Sequence, residues 1–233
     1  MNDLEAIELR KSRRSYLDTP IEQRKFNELS NLLDKYNAEA DLSMSLIEDG
    51  NEAFNGLGKS WGFFKGVRTI IVLKGKKDDP NLKEKLGFYG EMIVLKATRL
   101  GLGSCWVGGS FDRNANCIKI LEDEELVCVI TVGNTEEELT FREKLIHGLT
   151  HRKTKDAEEL YYAEGDLPQW FIEGIKAVEK APSAMNAQPV KFLYKDGGVK
   201  AFVKETSKLG LVDLGIAKAH FLIASGVEVP YGI

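Results

Sequence analysis

The sequence lacks the features that mark membrane proteins, disulfide-rich secreted proteins and metal sites. None of its apolar runs approaches the roughly 20 residues that a membrane-spanning helix needs, and its first residues are charged where a signal peptide would be apolar. The three cysteines form no Cys-x-x-Cys pair, and there are three histidines. We therefore expect a cytoplasmic chain with no membrane segment, no disulfide framework and no metal site.

The charge balance excludes a further class of partner. The chain has 32 Lys and Arg against 36 Asp and Glu, a formal net charge of -4. Domains that bind nucleic acids usually carry a strongly basic face, so no nucleic-acid partner is expected. The 233 residues, 43% of them hydrophobic, provide enough apolar material for one large domain or two small ones.

Hydrophobic periodicity gives a coarse order of elements. Apolar residues at helical spacing predict helices over residues 24–35, 83–100, 169–180 and 209–225. Short β-branched runs predict strands over residues 69–73, 126–132, 191–194 and 199–203. The Asp196-Gly197-Gly198 sequence between the last two strands is typical of a hairpin turn. Helices and strands are interspersed, so the class is α/β or α+β.

A basic segment follows the first helix-like residues. Residues 10–14 read Arg-Lys-Ser-Arg-Arg, four cations within five residues. Guanidinium groups supply forked donors that match phosphate oxygens, and the serine adds a hydroxyl. Two interpretations fit: a phosphate-binding segment, or a solvated basic helix end that interacts favourably with the helix dipole.

A second candidate lies in residues 181–189, Ala-Pro-Ser-Ala-Met-Asn-Ala-Gln-Pro, which we call the APS loop. Its two prolines forbid regular structure. Ser183, Asn186 and Gln188 both donate and accept hydrogen bonds, which suits a flat heterocycle edged with carbonyl and N–H groups. The alternative is an ordinary helix-to-strand connector with capping residues.

Two weaker candidates complete the set. Residues 101–109 form a glycine-rich turn that could bring backbone N–H groups close to a ligand, although the spacing is not that of a dinucleotide fingerprint. Trp106 within it is expected in the core. Residues 151–155, His-Arg-Lys-Thr-Lys, are either a second part of a phosphate site or a basic loop.

Together these segments resemble the nitroreductase family of FMN enzymes. The basic segment, with Tyr16 and Pro20, resembles the family's RxSxR…P start, and the APS loop resembles its APSxxNxQP loop, the most specific of the matches. Residues 100–109 resemble the segment beside the flavin ring, and residues 152–160 resemble a basic run that precedes Glu-Glu-Leu. The resemblance implies an α+β, nitroreductase-like fold with a mixed sheet flanked by helices, and bound FMN.

One departure from the family pattern is informative. In the family the APSxxNxQP loop usually follows soon after RxSxR, and FMN lies at a dimer interface between the two motifs. Here the loop comes about 170 residues later. The resemblance thus implies a fused pseudo-dimer of two degenerate repeats, residues 1–150 and residues 151–233, in one compact monomer with a single composite FMN site. When the sequence is aligned with itself at an offset of 146 or 125 residues, its long helices coincide, although any two amphipathic helices would align as well.

The resemblance also implies roles for individual residues, none of them catalytic, because the flavin carries the chemistry. The phosphate and ribityl chain would be held by the basic segment and the second basic cluster: Arg10, Lys11, Ser12, Arg14, Arg152 and Lys153. The isoalloxazine would contact the APS loop through Pro182, Ser183, Asn186 and Gln188. Backbone N–H groups of Val107, Gly108 and Gly109 would face the ring's N5 and O4. Lys59 would lie beside the flavin, a place for which Lys65 and Arg68 are alternatives.

The implied function is an FMN-dependent oxidoreductase. It would take a hydride from NADPH or NADH and then reduce a small electron-poor acceptor, such as a nitroaromatic or a quinone, in a ping-pong reaction. Two alternatives stay open: a flavoenzyme with a different donor and substrate, and a non-catalytic flavin-binding or sensing protein. Val190 stands where the family often has tryptophan, and Gly108 where it often has an acidic residue, so substrate and nicotinamide preference are not carried over.

Overall fold

The structure is a computed structural model that describes residues 1–54, 63–150, 154–203 and 209–232. Its helices are α1 (Asp3–Leu9), α2 (Gln23–Ala40), α3 (Leu82–Arg99), α4 (Phe141–Thr150), α5 (Gln169–Glu179) and α6 (Gly210–Ser225). Its strands are β1 (Ser45–Ile47), β2 (Thr69–Lys76), β3 (Gly103–Val107), β4 (Glu124–Gly133), β5 (Tyr161–Ala163), β6 (Val190–Lys195) and β7 (Gly198–Val203).

The chain divides into two compact units that are each discontinuous in sequence. The first unit comprises Met1–Glu8, Lys83–Met92 and Thr150–Ile233. The second unit comprises Leu9–Leu82 and Ile93–Leu149. The APS loop therefore belongs to the first unit, and the basic segment belongs to the second.

The second unit is built on an antiparallel sheet of order β1-β2-β4-β3. Its two central strands are continuous apolar runs and are buried almost throughout, as expected for strands covered on both faces. They pair from Thr69 with Val132 to Lys76 with Glu124, with a bulge at Leu73. The core includes Phe54, stacked on Phe111 with ring centroids 6.4 Å apart.

The first unit holds a three-stranded sheet of order β5-β6-β7, in which β5 is parallel to β6 and β7 is antiparallel to it. Asp196 and Gly197 form the two-residue turn between β6 and β7, both at positive φ, as a type I′ hairpin requires. The core is aromatic: Phe192 stacks on Phe221 at 4.8 Å between ring centroids, and Phe171 meets Phe221 edge-on at 5.8 Å.

Helices α3 and α6 approach each other backbone to backbone within the first unit. A Cβ atom at Gly215 would lie 1.9 Å from the carbonyl oxygen of Glu84, and one at Gly87 would lie 2.1 Å from that of Val212. Beside this contact Lys218 forms a buried ion pair with Glu84. Glycine at positions 87 and 215 is therefore required by the distance between the helices.

The helices and strands predicted from periodicity are confirmed, and the predicted mixed sheet is present as β5-β6-β7, but the other described strands form a second sheet. The described strands form two sheets, the first fully antiparallel and the second mixed, because the strands of each unit pair only with one another. Strands β1 and β5 were not predicted, since three residues are too few to display a period. Residues 103–107, read as part of a turn, form β3. No described helix has the length and apolar character needed to cross a bilayer.

Replacing Gly215 with alanine should destabilise the first unit. The added Cβ would collide with the backbone of α3 at 1.9 Å, and overpacking of this kind lowers the free energy of unfolding by roughly 1–3 kcal/mol. At an exposed helical position the same change would raise it by ~1 kcal/mol. Equilibrium unfolding in urea measures the difference.

Gly198→Ala is the control for this experiment. Among the described residues, a Cβ there meets only the carbonyl oxygen of Lys195, at 3.5 Å, so the free energy of unfolding should stay within ~0.5 kcal/mol of the wild type. A G215A midpoint at or above that of the wild type would contradict the close contact of the two helices.

Candidate functional site

The basic segment is extended and is not the end of a helix. Helix α1 ends at Leu9, and Ser12 then forms a parallel bridge with Ser104 of β3. The N–H of Arg13 donates to the carbonyl oxygen of Ser104 at 2.8 Å. The interpretation as a solvated helix end is therefore wrong. In an extended backbone successive side chains point to opposite sides, which separates residues 10, 12 and 14 from residues 11 and 13.

Tyr16 fixes the end of this extended stretch. Its ring is buried, and its N–H donates to the carbonyl oxygen of Lys65 at 2.9 Å. Its hydroxyl donates to the carbonyl oxygen of Arg13 at 2.7 Å and lies 2.7 Å from Oγ1 of Thr131. The segment is thus tied to β3 and β4 of the sheet and to Lys65, which precedes β2.

Arg10, Ser12 and Arg14 occupy alternate positions of the extended segment that pairs with β3 at Ser104, next to Cys105. Burial raises the pKa of the Cys105 thiol, while the charges of Arg14 and Arg10 and a hydrogen bond with Ser12 act to lower it. A spacing of two residues places the three side chains on one face of an extended chain. Within the described parts of the chain, no acceptor binds the Arg14 guanidinium.

Arg13 points the other way and is part of the fold. Its side chain is buried, and its guanidinium donates to Oγ1 of Thr135 at 3.0 Å, to the carbonyl oxygen of Glu136 at 2.8 Å and to that of Glu138 at 3.0 Å. A Cβ at Gly103 would lie 2.3 Å from Thr135, so the glycine makes room for this arrangement. The Arg13 charge is therefore not available to a ligand.

Glu143 of α4 is the counter-ion of this arginine. Its side chain is 1% exposed, and it lies 3.1 Å from Nε of Arg13. Burial alone would raise the pKa of the Glu143 carboxyl. Hydrogen bonds from the N–H groups of Arg14, Thr140 and Ser15 and from Arg13 outweigh that effect and lower the pKa to about 2. The carboxylate is therefore ionised at neutral pH.

In the glycine-rich turn, residues 101–109, the main chain is accessible at one place. Val107, at the end of β3, is buried, whereas Gly109 is exposed, and a Cβ built on it would meet nothing within 4 Å in the described structure. Gly108 between them is half-buried, and Trp106 is also half-buried, not the core residue that the sequence predicted. Backbone at residues 108 and 109 is thus open to a ligand.

The APS loop adopts an unusual backbone in the first unit. Met185, Asn186 and Gln188 have φ values of 55°, 50° and 42°, a left-handed region that non-glycine residues seldom occupy. Each such residue costs on the order of 1 kcal/mol or more. Met185 is also 62% exposed. Such backbone persists only where surrounding contacts impose it, and it concentrates at binding sites.

Gln188 supplies several of those contacts. Its side-chain oxygen accepts from the N–H of Lys155 at 2.8 Å, and its Nε2 donates to the carbonyl oxygen of Glu179 at 3.0 Å. Its own N–H donates to Oγ of Ser183 at 2.9 Å. Gln188 is 5% exposed, so its amide holds the loop. Pro182, Ser183 and Asn186 are half-buried, and Nδ2 of Asn186 lies 3.5 Å from Oγ1 of Thr154.

Asp213, in the first turn of α6, holds the loop from the other side. Its carboxylate oxygens accept from the N–H of Ala184 at 3.1 and 3.3 Å, and the residue is 4% exposed. Burial raises the pKa of this carboxyl to about 7, although the hydrogen bond from Ala184 acts to lower it. The group that supports the loop therefore titrates near neutral pH.

Three predicted site residues, Lys59, Arg152 and Lys153, lie outside the described residues. Of the alternatives to Lys59, Lys65 is exposed, and Arg68 forms ion pairs with Asp49 at 3.3 Å and Asp18 at 3.7 Å. Arg68 is therefore already neutralised by carboxylates.

Sequence reasoning missed Glu143 and Asp213. A signal for Glu143 was present, because Thr140-Phe141-Arg142-Glu143 has the spacing of a helix capping box. The structure contains both bonds of that box: the Thr140 N–H donates to Glu143 at 2.9 Å, and the Glu143 N–H donates to the Thr140 hydroxyl at 3.2 Å. Nothing in the sequence indicated that Asp213 is buried.

The comparisons with known proteins give consistent matches. The profile of a family described as "Putative TM nitroreductase" matches residues 2–225, while no curated protein sequence matches. A solved structure described as a putative nitroreductase from Thermotoga maritima is 25% identical, with a TM-score of 0.63, over 96% of this chain and 83% of that one.

Two further solved structures are more distant. A putative NADH dehydrogenase/NAD(P)H nitroreductase from Bacteroides thetaiotaomicron is 17% identical, with a TM-score of 0.52, over 69% of this chain and 96% of that one. An FMN-dependent nitroreductase from Clostridium difficile is 21% identical, with a TM-score of 0.45, over 64% and 98% of the respective chains.

Asp213 should make the stability of the chain depend on pH. Its folded-state pKa of about 7 lies above the ordinary value of 3.8, so the folded state binds more protons between these limits. The free energy of unfolding should fall as pH rises from about 4 to about 7, by an amount on the order of 4 kcal/mol from this group alone. Asp213→Asn removes that loss, because asparagine stays neutral and its carbonyl can still accept from Ala184.

The measurement is urea unfolding of D213N and the wild type at a series of pH values. The variant should gain stability relative to the wild type as pH rises through this window. Asp34→Asn, at an exposed position of α2, is the control and should show no such trend. A constant difference between D213N and the wild type would contradict the shifted titration.

Proposed function

Because this chain belongs to the nitroreductase family described as "Putative TM nitroreductase", we propose that it is an FMN-dependent oxidoreductase that uses NADPH or NADH to reduce a small electron-poor acceptor. Membership confirms the nitroreductase-like fold that the motifs predicted. The cofactor, the donor and the acceptor are the parts that we propose.

The observation that carries the proposal is the face formed by Arg10, Ser12 and Arg14. Three groups that suit a phosphate lie at alternate positions of the extended segment that pairs with β3, and no described acceptor binds the guanidinium of Arg14. A guanidinium can give a phosphate two parallel charge-assisted hydrogen bonds. The donor set therefore fits the phosphate of FMN, with Lys11 adding a further charge close by.

The electrostatics of the second unit support this assignment. Arg13 and Glu143 neutralise each other in the interior, 3.1 Å apart. The remaining cations of the segment therefore make the electrostatic potential of its outer face positive. A phosphate monoester carries nearly two negative charges at neutral pH. Binding such an anion would offset the mutual repulsion of Arg10, Lys11 and Arg14.

The remaining roles rest on the resemblance. We propose that Pro182, Ser183 and Asn186 contact the isoalloxazine, that Gln188 supports them, and that N–H groups at residues 107–109 face the ring. Lys59, Arg152 and Lys153 are proposed as further cationic ligands. When bound, FMN supplies the two-electron chemistry between nicotinamide and acceptor. The chain's own residues bind and orient the reactants, and none is needed as a nucleophile.

We also propose that the chain is a pseudo-dimer of two degenerate repeats and is monomeric. Both α2 and α5 are followed by an antiparallel strand pair and then by a long helix. Helices α2 and α5 begin at Gln23 and Gln169, which differ by the 146 residues of the first alignment. Gly101 and Gly226, which follow α3 and α6, both have positive φ, 73° and 70°. Sedimentation as a dimer with FMN between two chains would contradict this proposal.

The purified protein, reconstituted with FMN, should show a flavin absorbance spectrum with about one FMN per chain, and anaerobic NADPH or NADH should bleach it. Bound flavin that neither nucleotide reduces would instead indicate a sensing protein or an enzyme with another donor. Failure to bind FMN at all would contradict the proposed cofactor.

Arg14→Ala should weaken FMN binding by about 10- to 100-fold, the range expected for losing charge-assisted hydrogen bonds. Binding of riboflavin, which has no phosphate, should change little. Quenching of flavin fluorescence measures both dissociation constants. Arg24→Ala, which removes an exposed arginine of α2, is the control. Equal weakening of both flavins by R14A would contradict a phosphate contact.

A further inference from the structure

The Glu143 carboxylate binds two different parts of the chain. Oε1 accepts from the N–H of Arg14 at 2.7 Å and from that of Ser15 at 3.1 Å. Oε2 accepts from the N–H of Thr140 at 2.9 Å and from its hydroxyl at 3.0 Å. One side chain therefore joins the first turn of α4 to the middle of the extended segment.

We infer that Glu143 is a positioning residue that sets the register of the segment, so that Arg10, Ser12 and Arg14 face the ligand. This inference rests on the proposed FMN site. It adds a residue that the motifs do not contain and that lies about 130 positions away from the segment in sequence.

The register of the segment matters because Arg13 and Arg14, which are neighbours in sequence, have different roles: Arg13 pairs with Glu143 in the interior, and Arg14 belongs to the outer face. In an extended chain a shift of one residue exchanges the two faces, which would turn Arg13 outward and Arg14 inward. Glu143 opposes such a shift with four bonds, two from the guanidinium of Arg13 and one each from the consecutive N–H groups of Arg14 and Ser15. Together they specify which arginine lies inside.

Loss of the carboxylate charge would weaken this arrangement. Arg13 is 7% exposed, and a buried cation without its counter-ion is strongly unfavourable. The side chain would then be drawn toward water, and residues 12 and 14 would turn with the backbone. The expected consequence is a loss of phosphate recognition, whereas contacts made elsewhere on the flavin would be kept.

The test is the ratio of the dissociation constants of riboflavin and FMN for Glu143→Gln. We expect this ratio to fall by about 10- to 100-fold relative to the wild type, since bonds from charged groups are lost. In an Arg14→Ala background E143Q should lower the ratio by less than it does in the wild type, because part of its effect is exerted through Arg14.

Glu124→Gln is the matched control. Glu124 is a glutamate of the second unit that is 5% exposed, pairs with Lys74 at 2.6 Å and accepts from the N–H of Leu121 at 2.8 Å. E124Q should lower the thermal midpoint as a lost buried pair does, yet leave the riboflavin-to-FMN ratio unchanged. Thr140→Val removes a hydroxyl that donates to Oε2 of Glu143, accepts from the Glu143 N–H and lies 3.3 Å from Oγ of Ser15, but it keeps the carboxylate, so it should lower the ratio in the same direction but less.

The outcomes separate this inference from the proposed function. A fall of the ratio in E143Q and T140V that is smaller in the R14A background supports it. A wild-type ratio in folded E143Q and T140V overturns it while the FMN site stands, and so does a fall that R14A leaves unaltered. If E143Q does not fold, T140V alone decides between these results. A wild-type protein that binds FMN no better than riboflavin overturns the phosphate site and this inference together.

Discussion

The Glu143 carboxylate joins the start of α4 to the extended segment after α1, and Arg13, which it binds, donates in turn to the residues after β4. Four cations in five residues would repel one another if they shared a face. The structure separates them by turning Arg13 into the interior, where the carboxylate 3.1 Å away compensates its charge. The positive face that remains is the basis of the proposed phosphate site.

Much of the fold could be predicted from local patterns, because the long amphipathic helices and the buried β-branched strands each carry their own period. The number of sheets could not, since strand pairing between distant residues has no local signature. Strand β3 was not predicted, because Gly103 looks like part of a turn. In the structure a glycine stands there because a side chain would collide with Arg13 and Thr135. Helix α4 was missed although its capping box was readable at Thr140 and Glu143.

For the candidate site, the residue types were predictable and the supporting contacts were not. Arg10, Ser12 and Arg14 were recognised by their motif, and their spacing of two residues acquires a physical meaning once the segment is known to be extended. The buried carboxylates of Glu143 and Asp213 were missed, because burial depends on distant parts of the chain. The same holds for the APS loop, whose positive φ values depend on bonds to Asp213 and Lys155.

Phosphorus NMR of FMN bound to the protein, followed as pH is varied, tests the central claim most directly. Free phosphate monoesters take up a proton near pH 6, and contact with arginine favours the dianion. The account predicts a distinct bound resonance whose titration is moved well below that of free FMN and which disappears or titrates normally in R14A. A bound resonance that titrates like free FMN in the wild type would contradict the claim that this segment holds the phosphate.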